Sequence, residues 1–216
     1  MKERRQFLKT ALTILAGVGA WRHPVFSFFR PLWAEERIII LPKGTKRESL
    51  AQRNPAYLDT RNLDITPLKD FRTMGTTDFK ADAEKWRLEI SGRIKKPVAL
   101  TYSQVQALPV LEKRVLLICP GVFANHGLWR GFRVEELLKM AEAEEKLTYV
   151  TFASQEETYG RTQKFSMEEI SGGKVFLAYG VNGENLPQKH GFPLRVVAEK
   201  HYGSDWVKYV SQVKLE

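Results

Sequence analysis

The chain has 216 residues, 34 Lys and Arg against 25 Asp and Glu, a net charge of +9 and 43% hydrophobic residues, enough for one domain with a sizeable core. A charged fraction of 27% beside 11% aromatics excludes wholesale disorder, and the single cysteine excludes an intramolecular disulfide framework and CxxC-type zinc or iron–sulfur sites. The positive balance suits anionic ligands or surfaces without choosing among phosphate, small oxyanions, nucleic acid and lipid.

Residues 1–20 read as an export signal. Glu3-Arg4-Arg5-Gln6-Phe7-Leu8-Lys9 precedes a weakly apolar stretch from Thr10 that ends in Val18, Gly19 and Ala20, the three-part pattern of a secretory leader. The adjacent arginines before Phe-Leu-Lys resemble a twin-arginine signal, so the export machinery of that type is an expected partner and the periplasm the expected location. That route carries folded proteins, commonly loaded with a cofactor. Arg22, Pro24 and Arg30 interrupt the run before it reaches the roughly 20 apolar residues of a membrane span. If uncleaved, Trp21, Phe26, Phe28, Phe29 and Trp33 would keep the segment at a membrane surface. Without residues 1–20 the chain keeps 30 basic and 24 acidic residues. No helix or loop gathers that excess into a nucleic-acid footprint, so no nucleic-acid partner is expected.

Residues 21–80 read as an extended N-terminal arm, rich in Pro, Arg, Lys, Asp and Thr from residue 34, with Ile38–Leu41 as its one apolar run. The body, 81–216, opens with Trp86-Arg87-Leu88-Glu89-Ile90, which alternates as a strand and stops at Ser91-Gly92. Pro97–Leu100 is a short extended piece, and Thr101 caps a helix predicted over Ser103–Leu108. Val115–Ile118 reads as a buried strand ending at Cys119-Pro120-Gly121, followed by a loop that returns through Trp129-Arg130-Gly131. Apolar spacing at Val134, Leu137, Leu138 and Ala141 predicts a helix within Arg133–Glu145. Thr148–Phe152, Val175–Tyr179, Leu194–Ala198 and Val207–Leu215 read as strands, with a turn at Asn182-Gly183. Strands and helices do not alternate regularly, which predicts an α+β class with mixed sheets and short helices.

Several motifs fail on context. Gly17-Val18-Gly19-Ala20 imitates a dinucleotide fingerprint but lies in the signal, and GxxxxGK[ST], HExxH and GxSxG are missing. Cys119 with His126 makes a poor hydrolase pair, because the two share one loop stiffened by Pro120. A thiolate at a strand end backed by Pro-Gly is well placed to hold a soft metal facing a cavity. A buried structural cysteine accounts for the lone residue equally well.

The surrounding pattern decides between them. Trp86-x-Leu88-x-Ile90-x-Gly92, Cys119 with Trp129-x-Gly131, Asn182-Gly183-Glu184-x-Leu186-Pro187, His190-Gly191-Phe192-Pro193-Leu194-Arg195, and Tyr202-Gly203 through Lys208 follow one another in order. Together they resemble the sulfite oxidase family of molybdopterin enzymes, from about Trp86 to Leu215. The resemblance implies that family's fold and a molybdenum–molybdopterin cofactor. It assigns Cys119 as the protein ligand of molybdenum, beside two dithiolene sulfurs of one pterin. It places pterin and phosphate contacts on His190, Arg195 and Trp206-Val207-Lys208; charge-assisted donors such as Arg195 and Lys208 suit a buried phosphate. Ser154 matches a hydroxyl position at the pterin, and Thr66, Lys69 and Asp70 occupy the place of the family's N-terminal pterin loop.

Departures bear on the substrate. Asp205 stands where the family often has Lys, and Pro120-Gly121-Val122-Phe123 replaces the basic residues that flank the metal in sulfite oxidases. Gly121 also replaces the acidic residue of the periplasmic methionine-sulfoxide reductase branch. With no CxxCH for haem and no segment for the immunoglobulin-like dimerisation domain, a monomeric catalytic subunit served by a membrane or cytochrome redox partner is expected. The resulting expectation is an exported molybdenum oxidoreductase that moves an oxygen atom to or from a small S-oxide or oxyanion. Asn125, His126 and Arg130, on the loop after the ligand, are the expected substrate-orienting residues. The rival expectation is a non-catalytic binding or assembly module that keeps the fold.

Overall fold

The computed structural model describes residues 37–154 and 161–216; the proposed signal and the first part of the arm lie outside them. Three sheets organise the described chain. Strands β1 (Ile39–Ile40) and β2 (Leu58–Asp59) form a short parallel pair in the arm. One five-stranded sheet contains β5 (Val110–Cys119), β6 (Phe123–Arg133), β9 (Val175–Val181), β10 (Glu184–Asn185) and β11 (Arg195–Ala198). The other runs β4-β3-β12-β7-β8, from β3 (Arg87–Gly92), β4 (Val98–Thr101), β7 (Tyr149–Ser154), β8 (Thr162–Ser166) and β12 (Val210–Leu215). Three short helices connect them: α1 (Tyr102–Gln106), α2 (Val134–Met140) and α3 (Met167–Ser171). The α+β architecture with mixed sheets and short helices is the expected class. Among the described residues, no helix is long and apolar enough to cross a membrane.

Local chemistry explains most element boundaries. The Thr101 hydroxyl accepts from Gln104 N–H while the Gln104 side chain accepts from Thr101 N–H, a capping box that starts α1. Ser166 and Glu169 repeat the arrangement at α3. Asn182 and Gly183 take positive φ values of 54° and 83° between β9 and β10, the handedness that tight hairpins favour.

The largest departure from the sequence reading is β6. The stretch expected to be a loop is an 11-residue strand, paired antiparallel with β5 from Val110↔Phe132 to Cys119↔Phe123. Its polar residues satisfied no simple alternation because both of its faces are covered. On one face, Phe123 and Trp129 join the main core. On the other, Ala124 packs with Leu116 and Ile118 of β5 against Leu41, Leu50, Leu58 and Leu63 of the arm. The arm is stitched on by backbone bonds from Gly121 N–H to Ala51 O (2.8 Å) and from Thr66 N–H to His126 O (2.7 Å).

Candidate cofactor site

A cavity of about 420 Å³ opens where the two five-stranded sheets converge. Strand β5 delivers Leu117 and Cys119 to its wall, and β6 delivers Phe123, Asn125 and Trp129, the alternate residues of one strand face. The end of β7 supplies Ser154, the start of β11 supplies Arg195, and the turn before β12 supplies Trp206, Lys208 and Tyr209. His190 enters from the 3₁₀ turn Gln188–His190, and the arm closes one side with Phe71–Thr76.

Of the residues singled out from the sequence, Cys119, Ser154, His190, Arg195, Trp206 and Lys208 line this one cavity. The others do not. His126 is fully buried, with its N–H donated to Thr66 Oγ1 (2.9 Å) and Nδ1 set 3.3 Å from Asp64 O. One residue from Asn125 on a strand, it faces the arm rather than the cavity. Arg130 is also on the wrong face, above the Tyr179 ring at 5.9 Å and 4.0 Å from Glu112. Neither His126 nor Arg130 lines the cavity that holds Cys119. Thr66 is spent on β6, Lys69 and Asp70 sit on an exposed 3₁₀ turn with Asp70 3.9 Å from Arg47, and Val207 is turned into the core. The cavity-facing part of the arm begins one residue later, at Phe71.

Of the three residues expected to orient a substrate, Asn125 alone lines the cavity, and the sequence reading missed Arg72, Met74 and Arg161 there. Arg72 lies over the Phe123 ring at 5.5 Å and donates to Val122 O at 2.8 Å. It brings a cation to Cys119 from 47 residues upstream in sequence. Burial pushes the Cys119 thiol up, and the Arg72 charge opposes that shift. Arg161 donates to Ser204 O at 2.9 Å, while its N–H is accepted by Ser154 Oγ at 3.0 Å. No local pattern marked these positions: the packing of the arm on β6 brings Arg72 and Met74, and bonds to Ser154 and Ser204 place Arg161.

The cavity floor is cationic, and among the described residues no carboxylate lines it. Arg195 is 3% exposed, stacked on Trp129 (5.0 Å) and Trp206 (5.4 Å), and donates to His190 O at 2.9 Å. Burial lowers Arg195 to about 10. Burial and then Arg195 lower Lys208 to about 8. His190 falls to about 4 through burial and then the charges of Arg195, Lys189 and Lys208. His190 Nε2 and Trp206 Nε1 are buried with no hydrogen-bond partner among the described residues. Clustered cations and two orphaned polar atoms around one thiol fit an anionic, hydrogen-bonding cofactor attached through sulfur. Among the described residues no group of three His, Cys, Asp or Glu could hold a metal alone, so a metal at Cys119 needs donors from a cofactor.

His190 makes the site acid-sensitive. A histidine titrating near 4 when folded and near 6.5 when unfolded leaves the unfolded chain holding more protons between those values. Its contribution is therefore complete above about pH 6.5 and is lost as the pH falls towards 4, amounting to on the order of 3 kcal/mol. Chemical denaturation of the cofactor-free protein at pH 7 and pH 4.5 should show this loss, and His190→Asn should flatten the difference.

Comparison with known proteins identifies the class. The profile of the family described as "Oxidoreductase molybdopterin binding domain" matches residues 74–216, and the chain belongs to that family, a domain of the sulfite oxidase type. It is 31% identical over 178 residues to the protein-methionine-sulfoxide reductase catalytic subunit MsrP of Gluconobacter oxydans, covering 72% of this chain and 57% of that one. It is 29% identical over 164 residues to an NADH nitrate reductase of Brassica napus, covering 62% of this chain and 18% of that protein. The sulfane dehydrogenase SoxCD of Paracoccus pantotrophus superposes with a TM-score of 0.59 at 22% identity, over 63% of this chain and 39% of that chain, which shows the shared fold. Both curated relatives are reductases by name, and the chain spans little more than half the length of the Gluconobacter protein.

Proposed function

We propose that the chain is the catalytic unit of an exported mononuclear molybdenum oxidoreductase that transfers an oxygen atom to or from a small S-oxide or oxyanion. The observation that carries this reading is the Cys119 thiol on the wall of a cavity floored by Arg195 and His190. In this reading Cys119, as thiolate, is the protein ligand of the metal. Arg195 and the free Nε2 of His190 hold the pterin and its phosphate, and Trp206 Nε1 is a further donor into the cavity. The Ser154 hydroxyl accepts from Arg161 N–H at 3.0 Å and donates to Arg161 O at 3.4 Å, a long bond that it can exchange for a cofactor acceptor. The chemistry supplied by bound molybdenum–molybdopterin is a two-electron redox change coupled to movement of an oxygen atom.

Arg72 takes the role that the sequence reading gave to Arg130. It is exposed, its charge acts on Cys119, and its guanidinium retains donors beyond the bond to Val122 O. An S-oxide oxygen or an oxyanion approaching Cys119 therefore has Arg72 beside it, and Arg161 is a second cation in the lining of the same cavity. Reduction of an S-oxide consumes two electrons and two protons and releases water, so electrons must be delivered. The name of the Gluconobacter relative, a catalytic subunit, supports a separate membrane or cytochrome partner. The leader pattern of residues 1–20 supports twin-arginine export to the periplasm.

The test is oxidation of a reduced dye by the full-length protein, purified from a cofactor-making host, across a panel of S-oxides and oxyanions. Turnover should appear with at least one substrate and fall by more than about a hundredfold in Cys119→Ser. Metal-loaded protein that turns over none of them, in either direction, favours the non-catalytic binding module.

A further inference from the structure

The segment Arg72–Thr76 crosses the cavity as a strap fastened at two ends. At the first, Asn125 Nδ2 donates to Arg72 O (2.7 Å) and Asn125 Oδ1 accepts from Arg72 N–H (3.2 Å). At the second, Lys208 Nζ donates to Thr73 Oγ1 (2.8 Å), Met74 O (3.0 Å) and Thr76 O (3.1 Å), and lies 3.0 Å from Lys189 O. Tyr209 OH adds a bond to Thr76 O at 3.1 Å. Between the two ends, Met74 Sδ rests 3.7 Å from Cys119 Sγ, with Met74 itself 55% exposed. Both side chains that the strap brings to Cys119, Arg72 and Met74, are thus held by fastenings outside their own segment.

An ammonium carries three N–H donors and accepts nothing. Four protein oxygens already surround that of Lys208, three of them on the strap. While the strap is in place, no proton of Lys208 is left for a phosphate. We propose that Lys208 is a positioning residue, a latch that holds Arg72–Thr76 across the cavity and so sets Arg72 and Met74 against Cys119, rather than a direct phosphate donor. Phosphate recognition is left to Arg195 and His190. That last consequence rests on the cofactor reading; the latch does not. Burial keeps Lys208 at about 8, still largely charged at pH 7, and charge-assisted bonds of this kind are stronger than neutral ones.

The chain has one cysteine, so maleimide labelling of full-length, cofactor-free protein at pH 7 reports only the exposure and ionisation of Cys119. Releasing the strap in Lys208→Met should speed labelling roughly tenfold, the change expected when a local opening equilibrium loses several charge-assisted bonds. Loss of a nearby positive charge alone acts in the opposite sense, since it reduces the thiolate fraction and slows the reaction. Thr73→Val removes the Lys208 acceptor, together with the longer 3.3 Å bond from Thr73 Oγ1 to Lys189 O beside the same ammonium, without touching any charge, and should speed labelling at least about twofold. If Lys208→Met is not folded by circular dichroism, Thr73→Val decides alone. A Lys208→Met rate at or below that of the wild type, or a Thr73→Val rate equal to it, overturns the latch. The assay needs no cofactor, so its failure leaves the molybdopterin reading standing, and failed cofactor loading leaves the latch standing.

Discussion

Arg195→Met is expected to cut cofactor retention by more than about tenfold while leaving the cofactor-free protein as stable as the wild type, or more stable by about 1–2 kcal/mol. The two effects have opposite signs because the guanidinium is buried for a ligand rather than for the fold. Its protein environment is two indole faces, the His190 carbonyl and a long 3.5 Å bond to Val196 O, and among the described residues no carboxylate forms an ion pair with it. A buried cation with so little compensation is unfavourable in a protein interior, as its lowered pKa of about 10 reflects. Methionine fills comparable volume beside Trp129 and Trp206 without that desolvation. Thermal melts of cofactor-free protein and pterin content of the loaded protein separate the two effects. A variant that melts several degrees lower and still retains cofactor would show that Arg195 serves the core instead.

The second large effect concerns the frame that carries Cys119. Gly131 of β6 pairs with Ala178 of β9 just after a register shift. A Cβ there would lie 1.9 Å from Leu177 O and 2.6 Å from Ala178 Cα. Those obstacles are backbone, so no rotamer change relieves them, and β6 must separate from β9 along the interior of the sheet. Gly131→Ala should lose more than about 3 kcal/mol in chemical denaturation. Gly183 makes the contrast. It has open space around its Cα but a φ of 83°, so Gly183→Ala should cost only about 1 kcal/mol, the penalty of a left-handed backbone for an L-residue. Equal losses at the two positions would contradict this account of the β6–β9 contact.

What the sequence revealed followed the range of the interactions involved. Thr101 and Gln104 are three residues apart, so the start of α1 was legible from local chemistry. So was the Asn182-Gly183 turn. Ser166 and Glu169 carried the same capping signal before α3 and went unread, because Thr162–Ser166 lacks a clear apolar alternation that would announce β8. Strand β6 was illegible for a different reason. Asn125, His126, Gly127 and Gly131 look like loop residues until the arm covers one face and the cavity the other. Asn125 is polar because it fastens Arg72, and Gly131 is small because β9 passes against it.

The cavity shows the same division. Cys119, Ser154, His190, Arg195, Trp206 and Lys208 were found through ordered motifs near strand ends and turns. His126 and Arg130 were misassigned because a loop reading ignores the alternation of a strand, which puts Asn125 and Trp129 at the cavity and their neighbours behind it. Arg72 and Met74 had no signal at all. Their importance arises from the return of the arm across β6, a contact between segments about fifty residues apart. The basic group that seemed missing beside Cys119 in sequence is therefore supplied in space.

The central claim is that Cys119 binds molybdenum in this cavity. Its most direct test is molybdenum content per chain, measured on full-length protein from a host that makes the cofactor. The account predicts about one molybdenum per wild-type chain and less than about one-tenth as much in Cys119→Ser, with both proteins folded. Full metal retention by Cys119→Ser would contradict it, as would folded, metal-free wild-type protein from a host that loads a control molybdenum enzyme.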